Sequence, residues 1–281
     1  MFDNPNDPKS LLKSLELLCT SGIVGPQNWC GIDRDKLDES EIPEPLKDLY
    51  AFSGATLGDN EWCSPFSYED HLVSFELLTI DDGKLVFAYE NQGCWHAGTE
   101  TGGEDPPVWL REPDGNWNQT PCKSRLSMFL VIMALRELIF GSRYHGSSSK
   151  LLGKFRKKKL HVAPLLLDAP FAFGSHSFHI VNANILVMDD SFCATNSTEY
   201  FEKFPKLFKD RTLENRPEKE YTSHEEMIRN RSAPWPFREG VARLQSQFHQ
   251  QRAEYHSAKA AMFRQMLTDL QQNRPTNGNF F

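Results

Sequence analysis

A serine lies beside two histidines in the segment Gly174–His179, and a pair of aspartates, Asp189 and Asp190, follows the next apolar run. Serine, histidine and aspartate are the residue types of a nucleophile, its general base and the group that orients that base. Such partners must converge in space, which neighbours along one strand rarely do. His176 and His179 also fail as a metal pair, because residues three apart in a strand face opposite sides. The segment therefore predicts neither catalysis nor metal binding.

The rest of the chain lacks the short motifs that carry catalysis or nucleotide binding. It has no glycine-rich phosphate loop, no serine nucleophile elbow and no paired-histidine zinc motif. Its six cysteines are scattered without a C-x-x-C pair, which is typical of reduced thiols rather than of disulfides or zinc ligands. The sequence predicts a protein that is not an enzyme, with no catalytic residues, no metal and no cofactor.

One basic run, Lys154–Lys159, interrupts an acidic chain whose net charge is −7. Such a run could bind phosphates, but before a strand it is more often a solvated loop that protects the strand edge. We therefore predict no direct binding of nucleic acid. Residues 1–125 hold 23 acids and 9 bases, whereas residues 126–281 hold 15 acids and 22 bases. The two halves could attract each other within the fold, or the acidic half could bind a basic partner.

Hydrophobic spacing predicts one central helix and several others. Residues 124–140 are apolar on most sides of a helix and are interrupted only at Arg136 and Glu137, so this helix should be buried. A near-heptad stripe over residues 241–266 predicts a long C-terminal helix. Further helices are expected over three stretches, which begin at Pro8, at Pro45 and near Asn196.

Alternating apolar residues bounded by turn residues predict two groups of strands. Four runs are expected as strand material: residues 72–80, 84–89, 160–167 and 177–188. The first pair should be joined by a turn at residues 81–83, and the last run could fold on itself at residues 182–184. Residues 141–150, rich in glycine and serine, are expected to be a flexible connection. The absence of regular strand–helix–strand alternation favours an α+β fold.

The segment from Leu85 to Trp109 indicates a rigid hairpin with aromatic anchors. A strand ends in the polar residues 90–93, which suit a tight reversal, and Trp95 follows. Residues 105–109 read Asp-Pro-Pro-Val-Trp, and each proline fixes its own φ and restrains the residue before it. The hairpin should therefore hold the loop between its strands stiffly.

This order of pieces resembles the SUKH superfamily of bacterial toxin-immunity proteins and their fungal regulatory relatives. The shared pattern is a strand, E-N-Q-G, an aromatic residue, an acidic loop, D-P-P-V-W and a helix that begins L-S-x-F-L. The matching residues here are Glu90, Asn91, Gln92, Gly93, Trp95, Asp105, Pro106, Pro107, Val108, Trp109 and the run 126–130. Upstream, Ile42, Pro43, Leu46, Tyr50 and Gly54 are similar to the family's opening helix. The resemblance is clearest over residues 40–140.

The resemblance implies a SUKH-like domain over residues 1–208, with a mainly antiparallel sheet packed with helices. A helical extension over residues 209–281 lies outside the family pattern. The implied function is a cytoplasmic immunity protein of bacterial competition, which neutralises a cognate toxin by direct protein–protein interaction. The toxin would be a nuclease or another enzyme that acts on nucleic acid. The alternative is a non-catalytic regulatory or scaffold adaptor. No membrane association is expected, and the C-terminal helix could support a homodimer.

The motif residues and the acidic loops are expected to have different roles. The motif residues should be structural: Glu90 and its neighbours should satisfy the turn backbone, and Trp95 and Trp109 should pack the sheet against a helix. Contacts with the toxin are expected in the acidic loops, at Glu100, Glu104, Glu112 and Asp114. A stiff acidic loop could enter the basic groove of the toxin in place of phosphate.

Overall fold

The computed structural model describes residues 4, 6–25, 31–53, 66, 69–90, 92–112 and 115–211. The helices in these ranges are α1 (Pro8–Thr20), α2 (Arg34–Asp38), α3 (Glu44–Ser53), α4 (Leu126–Gly141), α5 (Leu151–Lys157) and α6 (Thr198–Lys203). The early strands are β1 (Asp70–Leu72), β2 (Thr79–Asp81), β3 (Lys84–Glu90), β4 (His96–Thr99) and β5 (Val108–Arg111). The later strands are β6 (Tyr144–Ser147), β7 (Val162–Phe171), β8 (Gly174–Val181), β9 (Ile185–Met188), β10 (Phe192–Thr195) and β11 (Lys209–Asp210).

The first sheet contains β1 to β5, and all its strand pairs are antiparallel. Its order is β1–β3–β4–β5, and β2 pairs with the beginning of β3. The turn from β2 to β3 has Asp82 and Gly83 at φ 45° and 73°. Tight two-residue hairpins require this left-handed backbone, which explains why a D-G pair stands at this position.

The second sheet has the order β11–β6–β10–β9–β8–β7 and is also antiparallel. Three-residue connections join β8 to β9 and β9 to β10, and positive φ occurs in them at Asn182, Ala183, Asp189 and Asp190. Within the described residues, β7 pairs only with β8 and is one of the two edge strands of the sheet, the other being β11. It contains Pro164 and Pro170, and its register with β8 is irregular on both sides of Leu166.

The central helix α4 lies in the main core. It packs against α1, α3 and the second-sheet strands β7, β9 and β10. Its Phe129 also meets Phe87 of the first sheet edge to face, with ring centroids 5.7 Å apart. Burial on nearly all sides explains why the helix is apolar around most of its circumference.

A smaller core covers the other face of the second sheet. Ile185 and Val187 belong to this core, whereas their neighbours Leu186 and Met188 belong to the main one, as expected for alternating strand faces. The helices α5 and α6 lie over this second core, with Phe155 and Tyr200 buried in it. The second sheet therefore lies between α4 and the pair α5 and α6.

The predicted mixed α+β class with antiparallel sheets is confirmed, as are the buried central helix and the fold of residues 177–188 into two strands. One continuous strand over residues 72–80 is wrong. The chain pairs with the end of β3 as β1, turns once over Phe75–Leu77, and returns to β3 as β2. The predicted long C-terminal helix lies outside the described residues.

Two further predictions fail after α4. Residues 141–150 contain β6, a strand inside the second sheet rather than a flexible connection. A Cβ added at Gly146 would lie 2.0 Å from the carbonyl oxygen of Leu207, so this glycine permits close packing. The basic run is also not a loop, because most of it lies in α5, whose Leu151, Leu152 and Phe155 are buried. Within the described ranges, no helix is long and apolar enough to cross a membrane.

Candidate functional site

The carboxylate of Glu90 organises the turn that follows β3. Its Oε2 accepts hydrogen bonds from the backbone N–H groups of Gln92 at 2.8 Å and Cys94 at 3.0 Å. The backbone of Glu90 also bonds to that of Trp95 and Gly93, and Gly93 has φ 74°. These contacts hold the reversal and commit the Glu90 carboxylate to it. Asn91, the second residue of the motif, lies outside the described residues.

Asp105 fixes the beginning of the central helix. Its two carboxylate oxygens accept hydrogen bonds from the backbone N–H and the hydroxyl of Ser127, both at 2.8 Å. The Pro106 carbonyl accepts the N–H of Leu126 at 3.0 Å, and the Pro107 carbonyl accepts the Thr99 hydroxyl at 2.8 Å. The residue at the start of α4, Arg125, makes no such side-chain bond. The proline segment therefore caps α4 from outside the helix and ties it to β4.

The two motif tryptophans differ in burial. Trp95 is 5% exposed, and its ring lies edge to face with Phe129 and Phe171, at centroid distances of 5.9 Å. Trp109 is half-buried, and the ammonium of Lys84 lies 3.6 Å from the centre of its ring. Trp95 is thus part of the core, whereas Trp109 packs under a charged side chain at the surface.

The predicted contact residues lie at both ends of the β4–β5 hairpin. Glu100, Glu104 and Glu112 are exposed, and Asp114 lies outside the described residues. Because β5 runs antiparallel to β4 over residues 108–111, Glu104 and Glu112 stand at opposite ends of β5. Four residues of strand separate the ends by roughly 13 Å. The structure therefore groups Glu104 with Glu100 and separates Glu112 from both.

A second acidic segment joins Glu100 and Glu104. The Gly102 N–H donates to the Glu41 carbonyl at 2.8 Å, and the Glu44 N–H donates to the Gly103 carbonyl at 3.3 Å. These bonds bring together four exposed glutamates that we call the acidic surface: Glu39, Glu41, Glu100 and Glu104. Sequence reasoning missed the first two, because about 60 residues of chain separate them from the loop that they join.

Residues 33–48 are strongly acidic beyond these two glutamates, with seven acids and three bases. Much of this further charge is neutralised locally by Arg34. Its guanidinium lies 2.9 Å from Asp38, 2.6 Å from Glu44 and 2.5 Å from Asp48. Arg34 contacts neither Glu39 nor Glu41 of the acidic surface, and Glu100 of that surface lies 3.6 Å from the Lys84 ammonium.

Four ionisable side chains form a second feature, which we call the buried polar chain. Arg136 lies 3.2 Å from Asp70 through Nε and 3.2 Å from His176 Nε2 through Nη1. His176 Nδ1 lies 2.6 Å from Asp189 Oδ2. The exposed fraction of these side chains increases in the order Asp70 (0%), Arg136 (17%), His176 (21%) and Asp189 (35%). The chain connects β1 of the first sheet, the central helix and the second sheet.

Glu137, the residue after Arg136 in α4, also contacts the beginning of β1. It is fully buried, and its carboxylate accepts the backbone N–H groups of Glu69 at 3.1 Å and Asp70 at 2.7 Å. The two charged residues that interrupt the apolar helix thus both hold the beginning of β1. The ion pair of Arg136 and the hydrogen bonds of Glu137 explain why both residues lie inside the core, because a buried charge requires partners.

The serines near His176 do not form a nucleophile–base pair with it. Both ring nitrogens of His176 face other groups, namely Arg136 and Asp189. The Ser177 hydroxyl oxygen accepts the Asp168 N–H at 3.0 Å, which commits it to the hairpin backbone. Among the residues that the structure describes, no group of three or more histidine, cysteine or carboxylate side chains could hold a metal ion.

No family model, curated protein or solved structure matches this chain. Its function is therefore inferred from its own contacts. The acidic surface is exposed on anchored loops, which suits a macromolecular partner. The buried polar chain links three elements of the fold from a fully buried Asp70 to a partly exposed Asp189, which suits a structural role.

Stability should depend on pH through Asp70. Burial raises its pKa to about 7, with a smaller contribution from Glu90 and Glu69 and an opposing one from Arg136. The folded protein then keeps a proton that the unfolded chain, with an Asp pKa of about 4, releases. This contribution is present below about pH 4 and is lost as pH rises to about 7.

The pH dependence can be assigned to Asp70 by comparing wild type with Asp70→Asn. Urea unfolding between about pH 4 and pH 8 should show that the wild type loses stability relative to the variant as pH rises. Burial lowers the pKa values of His71 and His96, which makes stability rise with pH and so opposes the effect of Asp70. Both proteins contain these histidines, so their effect cancels in the comparison. A constant difference between the two proteins would contradict the prediction.

Proposed function

We propose that this chain is a non-catalytic immunity protein of the SUKH kind, which binds and neutralises a cognate toxin that acts on nucleic acid. The observation that carries the proposal is the acidic surface, whose exposed glutamates lie on two loops that are hydrogen-bonded to each other. An enzyme that binds nucleic acid needs a basic groove for the phosphates. Carboxylates held in a fixed arrangement can occupy such a groove in place of phosphate.

Convergence of the motif segments supports the SUKH-like part of the proposal. The turn after β3 places Trp95 against Phe129, and Asp105 caps the helix through Ser127. Trp95, which follows the E-N-Q-G turn, and Asp105 of the D-P-P-V-W segment therefore both contact the first turns of α4. The same proposal includes a domain over residues 1–208, a helical extension that could pair with a second copy, and a cytoplasmic location.

Anchoring of the acidic loops favours tight binding. Glu104 directly precedes Asp105, whose carboxylate is bonded to the central helix, and Glu41 is bonded through its carbonyl to Gly102. A loop that is already ordered loses less conformational freedom on binding than a free one. The carboxylates can then contact a basic partner without a large entropic penalty.

Association with the toxin should be electrostatically steered through the acidic surface. The test uses the full chain and the toxin domain encoded beside its gene, with both rate constants measured by surface plasmon resonance. Raising salt should slow association about tenfold or more and change dissociation less, because screening weakens long-range attraction first. Replacing Glu41, Glu100 and Glu104 with lysine should slow association by a similar factor. The variant should stay folded, since exposed charges contribute little to stability.

A matched pair of single variants tests the location of the interface. Glu104→Lys and Glu112→Lys make the same charge change at exposed positions, but at opposite ends of β5. The first should slow association several-fold more than the second. Equal effects, or a salt-insensitive association with full protection of cells by the triple variant, would place the interface elsewhere. A partner that is not a toxin, without protection of cells, would favour the regulatory adaptor instead.

A further inference from the structure

The outer face of α5 carries a concentrated positive charge. Residues 150–161 include six lysines and arginines and no acid. Five exposed side chains on α5 and the turn after it form what we call the basic surface: Lys154, Arg156, Lys157, Lys158 and Lys159. The opposite side of the helix is buried through Leu151, Leu152 and Phe155. The helix is thus held on the second sheet, and its cations face solvent.

The cations of the basic surface lie close enough along the helix to repel one another. Lys154 is three residues before Lys157 and four before Lys158, the spacings at which side chains on a helix are neighbours. Within the described residues, none of the five forms an ion pair with a carboxylate, and the Lys154 ammonium donates instead to the Ser148 hydroxyl. Like charges at these spacings weaken a helix unless an external anion neutralises them.

The backbone on both sides of α5 is also unfavourable for the residues that it contains. Lys150 and Lys159 have φ 58° and 59°, the left-handed conformation that glycine adopts most readily. Lys159 occupies the end of the helix, where the Leu160 N–H returns to the Phe155 carbonyl at 3.1 Å and glycine is common. Two lysines therefore stand where glycine would suit the backbone better, so the fold itself does not account for them.

Gly153 is a third unexplained residue in the same helix. It is exposed, its φ is ordinary, and a Cβ added to it would meet none of the described residues within 4 Å. Glycine weakens a helix, so alanine would suit this position better. A bare backbone beside Lys154 does, however, allow a ligand to approach the helix closely.

We propose that the basic surface binds the phosphate backbone of nucleic acid, with the ligand in closest approach at Gly153. Protein interfaces are depleted of lysine and enriched in aromatic residues at their centre. The basic surface instead consists of four lysines and an arginine. A membrane-binding helix exposes apolar side chains, whereas those of α5 are buried. A row of phosphates matches a cluster of cations without acids. This binding departs from the expectation drawn from the sequence and is independent of any toxin.

Binding is tested by fluorescence anisotropy of the full chain with labelled oligouridine and a labelled DNA duplex, each of about 20 nucleotides or base pairs. Affinity should fall as salt rises from about 50 to 200 mM. Changing Lys154, Lys157 and Lys158 to glutamine should weaken binding at least about tenfold and reduce the salt slope by about two to three. The matched control changes exposed Lys9, Lys13 and Lys123 to glutamine, with the same net charge, and should alter affinity less than about twofold.

The Gly153→Gln variant tests whether the ligand approaches the helix closely at Gly153, because it adds a side chain there without changing the charge. The variant should keep the melting temperature of the wild type, because the position is open, and should bind the same oligonucleotides several-fold more weakly. Absence of binding by the wild type, or equal losses in the two lysine variants, would overturn the proposal. Unchanged affinity of Gly153→Gln would overturn the contact at Gly153. Preferential binding to phosphatidylserine–phosphatidylcholine vesicles, or displacement by poly-glutamate as effective as by oligouridine, would overturn the assignment to nucleic acid.

Discussion

Replacing Trp95 with alanine should lower the free energy of unfolding by about 3–5 kcal/mol. The indole is 5% exposed and packs between the rings of Phe129 and Phe171. Removing it leaves a cavity beside α4 that the surrounding rings fill only in part. This is a large share of the roughly 5–15 kcal/mol that stabilises a typical domain. Equilibrium urea unfolding, followed by circular dichroism, measures the change.

Trp109→Ala serves as the comparison, because this motif tryptophan is half-buried beneath Lys84. Its loss should lower the free energy of unfolding by only about 1–2 kcal/mol. The sequence predicts the same structural role for both tryptophans, and their burial now separates them. If Trp95→Ala kept the stability of the wild type but no longer bound its partner, Trp95 would be an interface anchor instead.

Arg136→Met should lower the free energy of unfolding by about 3–5 kcal/mol above about pH 8, where the Asp70 carboxyl is ionised. The substitution keeps most of the volume of the side chain but leaves the Asp70 carboxylate buried without its cation. It also removes the donor that faces His176 and the guanidinium that lies 5.0 Å from the Phe171 ring centre. The loss should shrink toward acidic pH, where Asp70 takes up a proton.

A double-mutant cycle identifies the Asp70 charge as the cause. Asp70→Asn removes the charge, so Arg136→Met in that background should be destabilising by at least about 1–2 kcal/mol less than in the wild type. Urea unfolding of the four proteins at one pH above about 8, where Asp70 is ionised, gives the coupling energy. Additive losses would mean that Arg136 acts through packing on Phe171 rather than through Asp70.

The parts of the fold that local sequence determines were predictable. The central helix follows from an apolar run too long for a strand, and the β2–β3 turn follows from Asp82 and Gly83, whose backbone conformation few other residues adopt. The two charges inside that helix were visible as an interruption. Their role was not, because their partners come from β1 and the second sheet.

The parts that depend on tertiary contact were not predictable in the same way. The segment with Gly146 resembles a linker in composition, and only the passing backbone of Leu207 explains its glycine. The cap of α4 comes from Asp105, about 20 residues upstream, so the local residues give no sign of it. The acidic surface likewise forms only when the loop at Gly102 bonds to the segment at Glu41.

The edge strand β7, which pairs only with β8 among the described residues, affects how copies of this protein remain separate when they are crowded. Its hairpin exposes two apolar side chains, Leu167 and Phe173, at 60% and 71%, beside a strand that could template the growth of fibrils. Pro164 and Pro170 have no N–H to donate to a strand of another molecule. Asp168, at φ 47°, interrupts the extended backbone between them. A polymerising strand needs an uninterrupted row of donors and acceptors. Copies that meet along β7 therefore find no stretch long enough to extend the sheet from one molecule into the next.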